Sequence, residues 1–278
     1  MPRTAEIHPW NKDFSWRSPS PPFQVIDDDQ ASQFDRDGFI VLDSVIDADM
    51  LRQVIEEVDR YEADSEAFLQ SQPRQRTTVA EAGAITFTNH LVTRSAPVRA
   101  LATHPTLVGL CADLVGPDVN LYWDQAVYKK PEKPRRFPWH QDTAYVYVEP
   151  QYYLTCWVAL TEATVENGCP WVAPGFHRQG TIRHRYVKPL GWQCLEEPPD
   201  AVAAPVAAGG VVAFSSLTPH MTEANTTDQV RKAYIVQYAP AGTRALFGDP
   251  SHGSPTDAQP CDDTSRQFPV LRAGRPVS

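Results

Sequence analysis

The chain has 278 residues, enough for one large or two modest domains, and 42% of them are apolar, which supplies an ordinary globular core. Its net charge of −9 argues against nucleic acid or an anionic membrane as partner, because phosphate-rich surfaces select for an excess of Lys and Arg. No apolar run reaches the ~18–20 residues that span a bilayer. The stretch MPRTAEIHPWNKDFSW has no apolar h-region, so no secretory signal is expected. Five cysteines (111, 156, 169, 194, 261) are scattered without a CxxC pair, which predicts reduced thiols in a cytoplasmic protein.

Residues 1–32 read as an arm without periodicity, marked by SPSPP and DDD. Trp10, Phe14, Trp16 and Phe23 are too many aromatics for a solvated tail. The arm is therefore expected to pack on the body or on a neighbouring subunit, the second case giving a homo-oligomer. GFIVL (38–42) reads as a short buried strand. Asp47 then caps a helix over 47–62, with Leu51, Val54, Ile55, Val58 and Tyr61 as its apolar stripe. Residues 70–84 are polar and read as a loop. A second helical region covers 98–115, interrupted near Pro105 and ended by Gly116-Pro117.

After residue 118 the apolar period becomes strand-like. Strands are expected at 119–128, 137–146, 153–160, 171–173, 181–184, 211–215 and 232–239, separated by PEKPRR, ENGCP, APG, AAGG and NTTD. Asn167-Gly168 reads as a hairpin turn. Helices followed by many short strands predict a mostly β fold with a helical buttress, a sandwich or barrel, over 33–245. Residues 246–278 read as a Pro-rich tail.

The stretch FPWHQDTAYV (137–146) carries the most suggestive chemistry. In a strand, His140 and Asp142 at i and i+2 share a face. Tyr145 and Tyr147 then point away from that face, unless the strand ends there. Among the other histidines, His8 and His252 lie in the ends, and His90, His104 and His184 lack a strand-like carboxylate pairing. His177 follows the turn APGF as a loop residue. His220 differs, because it follows the strand-like VVAFSSLTPH and precedes a strand containing Arg231. Two imidazoles and a carboxylate that leave three cis positions open form the donor set of non-haem Fe(II) oxygenases, although zinc hydrolases also use it. Arg231 favours the oxygenase, since a dicarboxylate co-substrate needs a guanidinium fork at its far end.

At these residues the chain resembles the phytanoyl-CoA dioxygenase family of Fe(II)/2-oxoglutarate oxygenases. The matching stretches are DRDGFIVLDSVID (35–47), VYKKPEKPRRFPWHQD (127–142), TCWVALTEATVENGCPWVAPGFHRQG (155–180) and PHMTEANTTDQVRKAYIVQYA (219–239). The resemblance implies a double-stranded β-helix, a cupin-like jelly roll. It implies His140, Asp142 and His220 as iron ligands, and Arg231 with Thr222 on the distal carboxylate of 2-oxoglutarate. It places Trp157 against the co-substrate, a core aromatic between strands being the other reading. It places Gln125 near co-substrate or substrate. It also implies Fe(II), 2-oxoglutarate and O2 as cofactor and co-substrates, with succinate and CO2 released as a small-molecule C–H bond is oxidised.

Because Asp142 fills the position that related halogenases leave to chloride, hydroxylation is the expected outcome, with desaturation, epimerisation or ring rearrangement as alternatives. Lys129, Lys130, Lys133, Arg135 and Arg136 read either as a basic loop steering an anionic substrate or as a solvated connection. The competing classes are a cupin-like metal-dependent hydrolase or isomerase, which leaves Arg231 unexplained, and a non-catalytic binding protein, which has no need of all three ligands.

Overall fold

The computed structural model describes residues 5–277. Its first helix, α1 (Asp28–Asp37), arises within the stretch expected to be irregular. Asp27 and Gln30 form a reciprocal capping box, and Gly38 ends the helix in the left-handed conformation (φ 82°). Only Ala31 and Phe34 are buried along it, too sparse a stripe to read as periodic. Strand β1 (Phe39–Leu42) follows. Helix α2 (Ala48–Ser71) starts at the expected cap, Asp47, but runs nine residues past the expected end. Its extension holds few apolar anchors besides Leu69; Glu62 and Glu66 there grip Lys130 at 2.8 and 3.0 Å. β2 (Ile85–Asn89) leads to α3 (Ala96–Ala102) and α4 (Pro105–Leu114). The break between these helices is steric, since a residue before proline is pushed out of the α region, and His104 sits at ψ 135°.

The remaining chain is β: β3 (Val119–Lys129), β4 (Phe137–His140), β5 (Tyr147–Glu149), β6 (Leu154–Ala159), β7 (Pro170–Val172), the short pair β8 (Arg185–Tyr186) and β9 (Trp192–Gln193), β10 (Val202–Ala203), β11 (Val211–Ser215), β12 (His220–Thr222), β13 (Arg231–Pro240), β14 (Arg244–Phe247), β15 (Asp257–Pro260), β16 (Pro269–Arg272) and β17 (Arg275–Pro276). The large sheet has the order β1-β11-β6-β13-β3-β16-β17, with β2 also on β3. The small sheet has the order β10-β7-β12-β4. Two antiparallel sheets with crossing connections make the jelly roll. Asn167-Gly168 therefore does not join a hairpin. It lies in a turn between β6 and β7, which belong to opposite sheets.

Period-two alternation divides the large sheet between two tasks. On β13, Tyr234, Val236 and Tyr238 point outward into a core shared with α2, α3 and α4, while Arg231, Ile235 and Gln237 point inward to a cavity. On β6, Leu154, Cys156 and Val158 join the helical core, while Trp157 faces the other way. The helices thus stiffen the sheet from behind and leave its inner face free for chemistry.

The segment expected as a strand over 137–146 stops at His140. Gln141 gives its backbone N–H to His184 Nε2 (2.9 Å), and Asp142 gives its own to Ser216 O (3.1 Å), so both leave the ladder. A single 3₁₀ turn follows over Asp142–Ala144. Residues 181–184 form no strand, their only ladder contact being a bridge from Ile182 to Ile7. Beyond residue 245 the chain is not a free tail. β15 joins β14 and β5 in a third sheet, and β16 lies on β3 with Val270 and Leu271 buried in the main core.

The N-terminal aromatics pack on the same chain. Trp16 contacts Phe34, Tyr152 and His177 and donates its indole N–H to Asp35 Oδ1 (2.8 Å). The buried Asp113 carboxylate on α4 accepts the backbone N–H groups of Gln24, Val25 and Ile26 (2.7, 2.8 and 3.1 Å). Removing that acceptor strands three amides, and hydrogen bonds to a charged group contribute more than neutral ones. Asp113→Ala is expected to lower stability by about 3 kcal/mol, read from the chemical-denaturation midpoint; an unchanged midpoint would show the arm to be held by its aromatics alone.

Candidate active site

β12 and β4 are antiparallel neighbours in which His220 and His140 are direct partners. Their rings lie 4.2 Å apart, centroid to centroid. Each Nδ1 meets a backbone carbonyl, Pro138 O at 2.8 Å for His140 and Thr218 O at 3.0 Å for His220. That fixes Nδ1 as the protonated nitrogen and leaves each Nε2 lone pair free. Both Nε2 atoms face Asp142 Oδ1, at 4.0 Å from His140 and 3.7 Å from His220. One donor atom from each of the three residues falls within 4.8 Å of the others. Asp142 arrives through the turn after β4 and not through strand parity.

The donors are held from behind. Thr155 on β6 donates its hydroxyl to Asp142 Oδ2 (2.5 Å), and Gln237 on β13 adds a second hydrogen bond. Gln141, between the two ligands in sequence, turns away from them and is fully buried. Its amide donates to Gly180 O (3.0 Å) and Leu217 O (2.6 Å) and accepts from Ile182 N (2.7 Å). Nothing in the sequence distinguished Gln141, Thr155 or Gln237, because each acts through a partner remote in the chain.

Burial sets the protonation states. Desolvation, then the neighbouring imidazole of His220, pulls His140 down to about 3. Desolvation likewise lowers His220 to about 4. Both rings are therefore neutral donors at physiological pH. Burial pushes the Asp142 carboxyl up, against the hydrogen bonds that favour its anion.

Arg231 opens β13, opposite Lys129 on β3, and is buried. Its guanidinium lies 5.1 Å from the Trp157 ring and makes one long hydrogen bond to Val127 O (3.4 Å), and its Nε has no partner. Among the described residues no carboxylate lies within ion-pair range of it. Burial lowers its pKa to about 10, so the charge persists. Thr222, Trp157 and Gln125 line the same cavity, and Ile235 is the register partner of both Gln125 and Trp157. Gln125 accepts the Trp123 indole N–H at 3.2 Å.

Tyr145 lines the cavity, its ring 6.0 Å from that of His140, because the strand ends before it. Tyr147 points away and meets His8 and Trp10. His177 is buried, its Nε2 3.1 Å from Asp35 O. The basic run before β4 is a largely exposed connection in which most of the charges already have partners. Lys130 pairs with Glu62 and Glu66, Arg135 with Glu81 (3.0 Å) and Arg136 with Glu197 (2.6 Å). The buried Lys129 ammonium is capped by carbonyl oxygens of Arg135, Thr222 and Glu223.

Two neutral imidazoles, one carboxylate and an unpaired buried guanidinium fit iron(II) with a dicarboxylate beside it. A model of the phytanoyl-CoA dioxygenase family matches residues 34–233. The chain belongs to that family. It is similar to the methylphosphonate hydroxylase of Gimesia maris, 27% identical over 77% of this chain and 81% of that protein. It is also similar to a 2-aminoethylphosphonate dioxygenase from an uncultured bacterium, 28% identical over 62% and 67% of the two chains. Among solved structures, EvdO2 from Micromonospora carbonacea var. aurantiaca, complexed with 2-oxoglutarate, superposes with TM-score 0.61 at 26% identity over 82% of this chain and 96% of that one. The epimerase SnoN of nogalamycin biosynthesis shares the fold, with TM-score 0.62 and 22% identity over 90% and 94%. This family member is an Fe(II)/2-oxoglutarate-dependent oxygenase, with iron, 2-oxoglutarate and O2 as cofactor and co-substrates.

Two outcomes test the site. Outer partners of a metal ligand are typically worth about 10–100-fold in affinity, so Thr155→Val should weaken Fe(II) or Co(II) binding by that order in a titration while leaving the fold intact. Ordinary histidines compete with protons for metal below their pKa of 6.5, whereas His140 and His220 stay neutral to about 3 and 4. The imidazoles should therefore add no fall in metal affinity around pH 6.5, and any decline on acidification should come from the burial-raised Asp142 carboxyl. A steep fall centred there would show that the imidazoles titrate normally.

Proposed function

We propose that His140, Asp142 and His220 ligate iron(II), that Arg231 and Thr222 hold the far carboxylate of 2-oxoglutarate, and that the enzyme hydroxylates a small molecule in the cavity above them. The observation that carries this reading is the buried Arg231, which lacks an ion-pair partner among the described residues and opens onto the same cavity as the three donors. Unpaired buried charge is costly, and a dicarboxylate whose other end reaches the metal relieves that cost. A hydrolytic metal site gives this arginine no role. Trp157 packs against the guanidinium and gives the co-substrate an apolar wall, and Gln125 borders the space left for substrate.

Iron with 2-oxoglutarate and O2 supplies the oxidising power that breaks a C–H bond and leaves succinate and CO2. The protein's own residues do the positioning. Thr155 and Gln237 orient Asp142, and backbone carbonyls orient the two imidazoles. The neighbouring apolar side chains, Phe137 and Ile235 among them, exclude bulk water, so the substrate's target atom is the nearest thing to oxidise. With Asp142 as a ligand, the position that a halide would need would be filled, which favours hydroxylation over halogenation. The same arrangement serves epimerisation or ring closure when the substrate is held differently. We take the enzyme to work in the cytoplasm on a free small molecule, without nucleic acid or membrane. Among the described residues no helix is long and apolar enough to cross a membrane.

Anaerobic Fe(II) plus 2-oxoglutarate should give a weak visible charge-transfer band, absent in His220→Ala. Arg231→Met should separate the two roles. Truncating one partner of a desolvated charge pair costs on the order of 2–5 kcal/mol, so 2-oxoglutarate affinity should fall at least tens-fold with metal binding kept. The same substitution removes a buried charge that has no partner without co-substrate. The ligand-free variant should therefore melt higher than wild type by calorimetry. A variant that melts lower and binds 2-oxoglutarate normally would sink the assignment. With substrate in hand, the added oxygen should carry label from ¹⁸O2, and bromide buffer should yield no halogenated product.

A further inference from the structure

The cavity above the donors encloses about 620 Å³, the size of a drug-like ligand site. 2-Oxoglutarate beside Arg231 takes only its inner end. The outer part is closed by chain beyond the stretch matched to the family, with Ala245, Phe247, Cys261 and Arg266 facing Phe87 and Trp123. A small anion would leave most of this space to water against aromatic walls.

Charge points the same way. Apart from the two neutral imidazoles, the cavity is lined by the carboxylates of Asp142 and Asp263 and the guanidiniums of Arg231 and Arg266. Arg266 donates its Nε–H to Asp263 Oδ2 (2.8 Å), and its guanidinium lies 5.5 Å from the Trp123 ring centre. Iron(II) and a 2-oxoglutarate dianion cancel one another, and the two carboxylates cancel the two guanidiniums. No cation is left over for an anionic substrate, and burying an unpaired anion is expensive. The nearby basic run gives no help, because Lys130, Arg135 and Arg136 are already paired with glutamates. What the cavity does offer is aromatic surface and neutral polar groups. Three phenols, those of Tyr122, Tyr145 and Tyr153, belong to its lining.

We infer that the substrate is an uncharged, ring-containing molecule bearing neutral oxygen groups such as hydroxyl, ether or ketone, seated on Trp123 and Phe247 and read by the three phenols. Small phosphonates and carboxylates are disfavoured because Arg266 is already engaged by Asp263. This inference rests on the oxygenase reading above.

The test uses the full chain loaded anaerobically with Fe(II) and 2-oxoglutarate. Matched neutral and carboxylated ring compounds are titrated in by saturation-transfer NMR: flavanone against 4′-carboxyflavanone, tetralone against its carboxylic acid, with methylphosphonate alongside. At least one neutral member should bind about tenfold tighter than its carboxylate, and methylphosphonate should not bind. Trp123→Ala should weaken that neutral member about tenfold, with the rim substitution Phe247→Ala taking its place if the first does not fold. Asp263→Asn frees Arg266 and should shrink the preference to about threefold or less by strengthening the carboxylate. Carboxylates bound as tightly as neutral partners, bound methylphosphonate, no bound neutral ring compound, or a preference untouched by Asp263→Asn would each overturn the inference. The charge-transfer band is read in the same samples. A missing band counts against the oxygenase reading, whereas a normal band with the wrong preference counts against the neutral substrate alone.

Discussion

The site depends on one cross-strand pair. His140 and His220 face each other in register on the small sheet, and neither strand is long enough to hold that register by itself. Antiparallel register allows no half measures, because a slip of one residue would send each imidazole to the opposite face. Gln141 pins it. Its buried amide bonds to Gly180, Ile182 and Leu217, and its backbone N–H to His184, so the chain leaves the ladder immediately after His140. That departure delivers Asp142 to the two histidines. An ideal strand would have kept the i, i+2 parity, but it would also have carried Tyr145 away from the two histidines. The turn brings the carboxylate and the phenol to the same cavity.

The large sheet extends this logic. Its outer face gives Tyr234, Val236 and Tyr238 to the helical core, and Tyr238 donates its hydroxyl to Ala102 O at 2.7 Å. Its inner face gives Arg231, Ile235 and Gln237 to the site. One strand therefore anchors the fold and orients the carboxylate, with consecutive residues alternating between the two. A substitution on the outer face reaches the chemistry only through strand position, whereas one on the inner face reaches it directly.

Much of this was legible in the sequence because it was periodic or patterned. The α2 stripe, the strand alternation after residue 118, and the spacing of His140, Asp142, His220 and Arg231 all carry local signals, and the matching stretches named the family. What escaped lacked an apolar stripe or alternation. Helix α1 is held by a capping box with two buried side chains, so no stripe announced it. Residues 257–272 looked like a tail because their strands are short and Pro-flanked, and β16 pairs with β3, which is remote in the chain. Gln141 could not be told from any surface glutamine, since its value lies in three hydrogen-bond partners at least 39 residues away. The partners of the basic run were hidden for a related reason. Its charge was visible, but the glutamates that neutralise it lie on α2, near β2 and after β9.

Lys129 and Arg231 show most clearly where sequence ends and structure begins. They are register partners on adjacent strands, both buried, and burial depresses the pKa of each. By burial alone the two are equivalent. The difference is in their hydrogen bonds. Three carbonyl oxygens close around the Lys129 ammonium, two of them from Thr222 and Glu223 at the end of β12, so this cation ties the connection between β12 and β13 to β3. The packing there is tight enough that a Cβ at Gly168 would lie 2.5 Å from Glu223 O and 2.9 Å from Lys129 Cδ. Arg231 has no such closure, and its fork opens onto the cavity. A compact ammonium suits a ring of carbonyls, and a planar fork suits a carboxylate. The protein thus keeps two buried basic side chains side by side, one closed in by backbone carbonyls and one without an ion-pair partner among the described residues. Lys129 thereby holds Thr222 and the end of β12 in place beside the cavity that Arg231 lines.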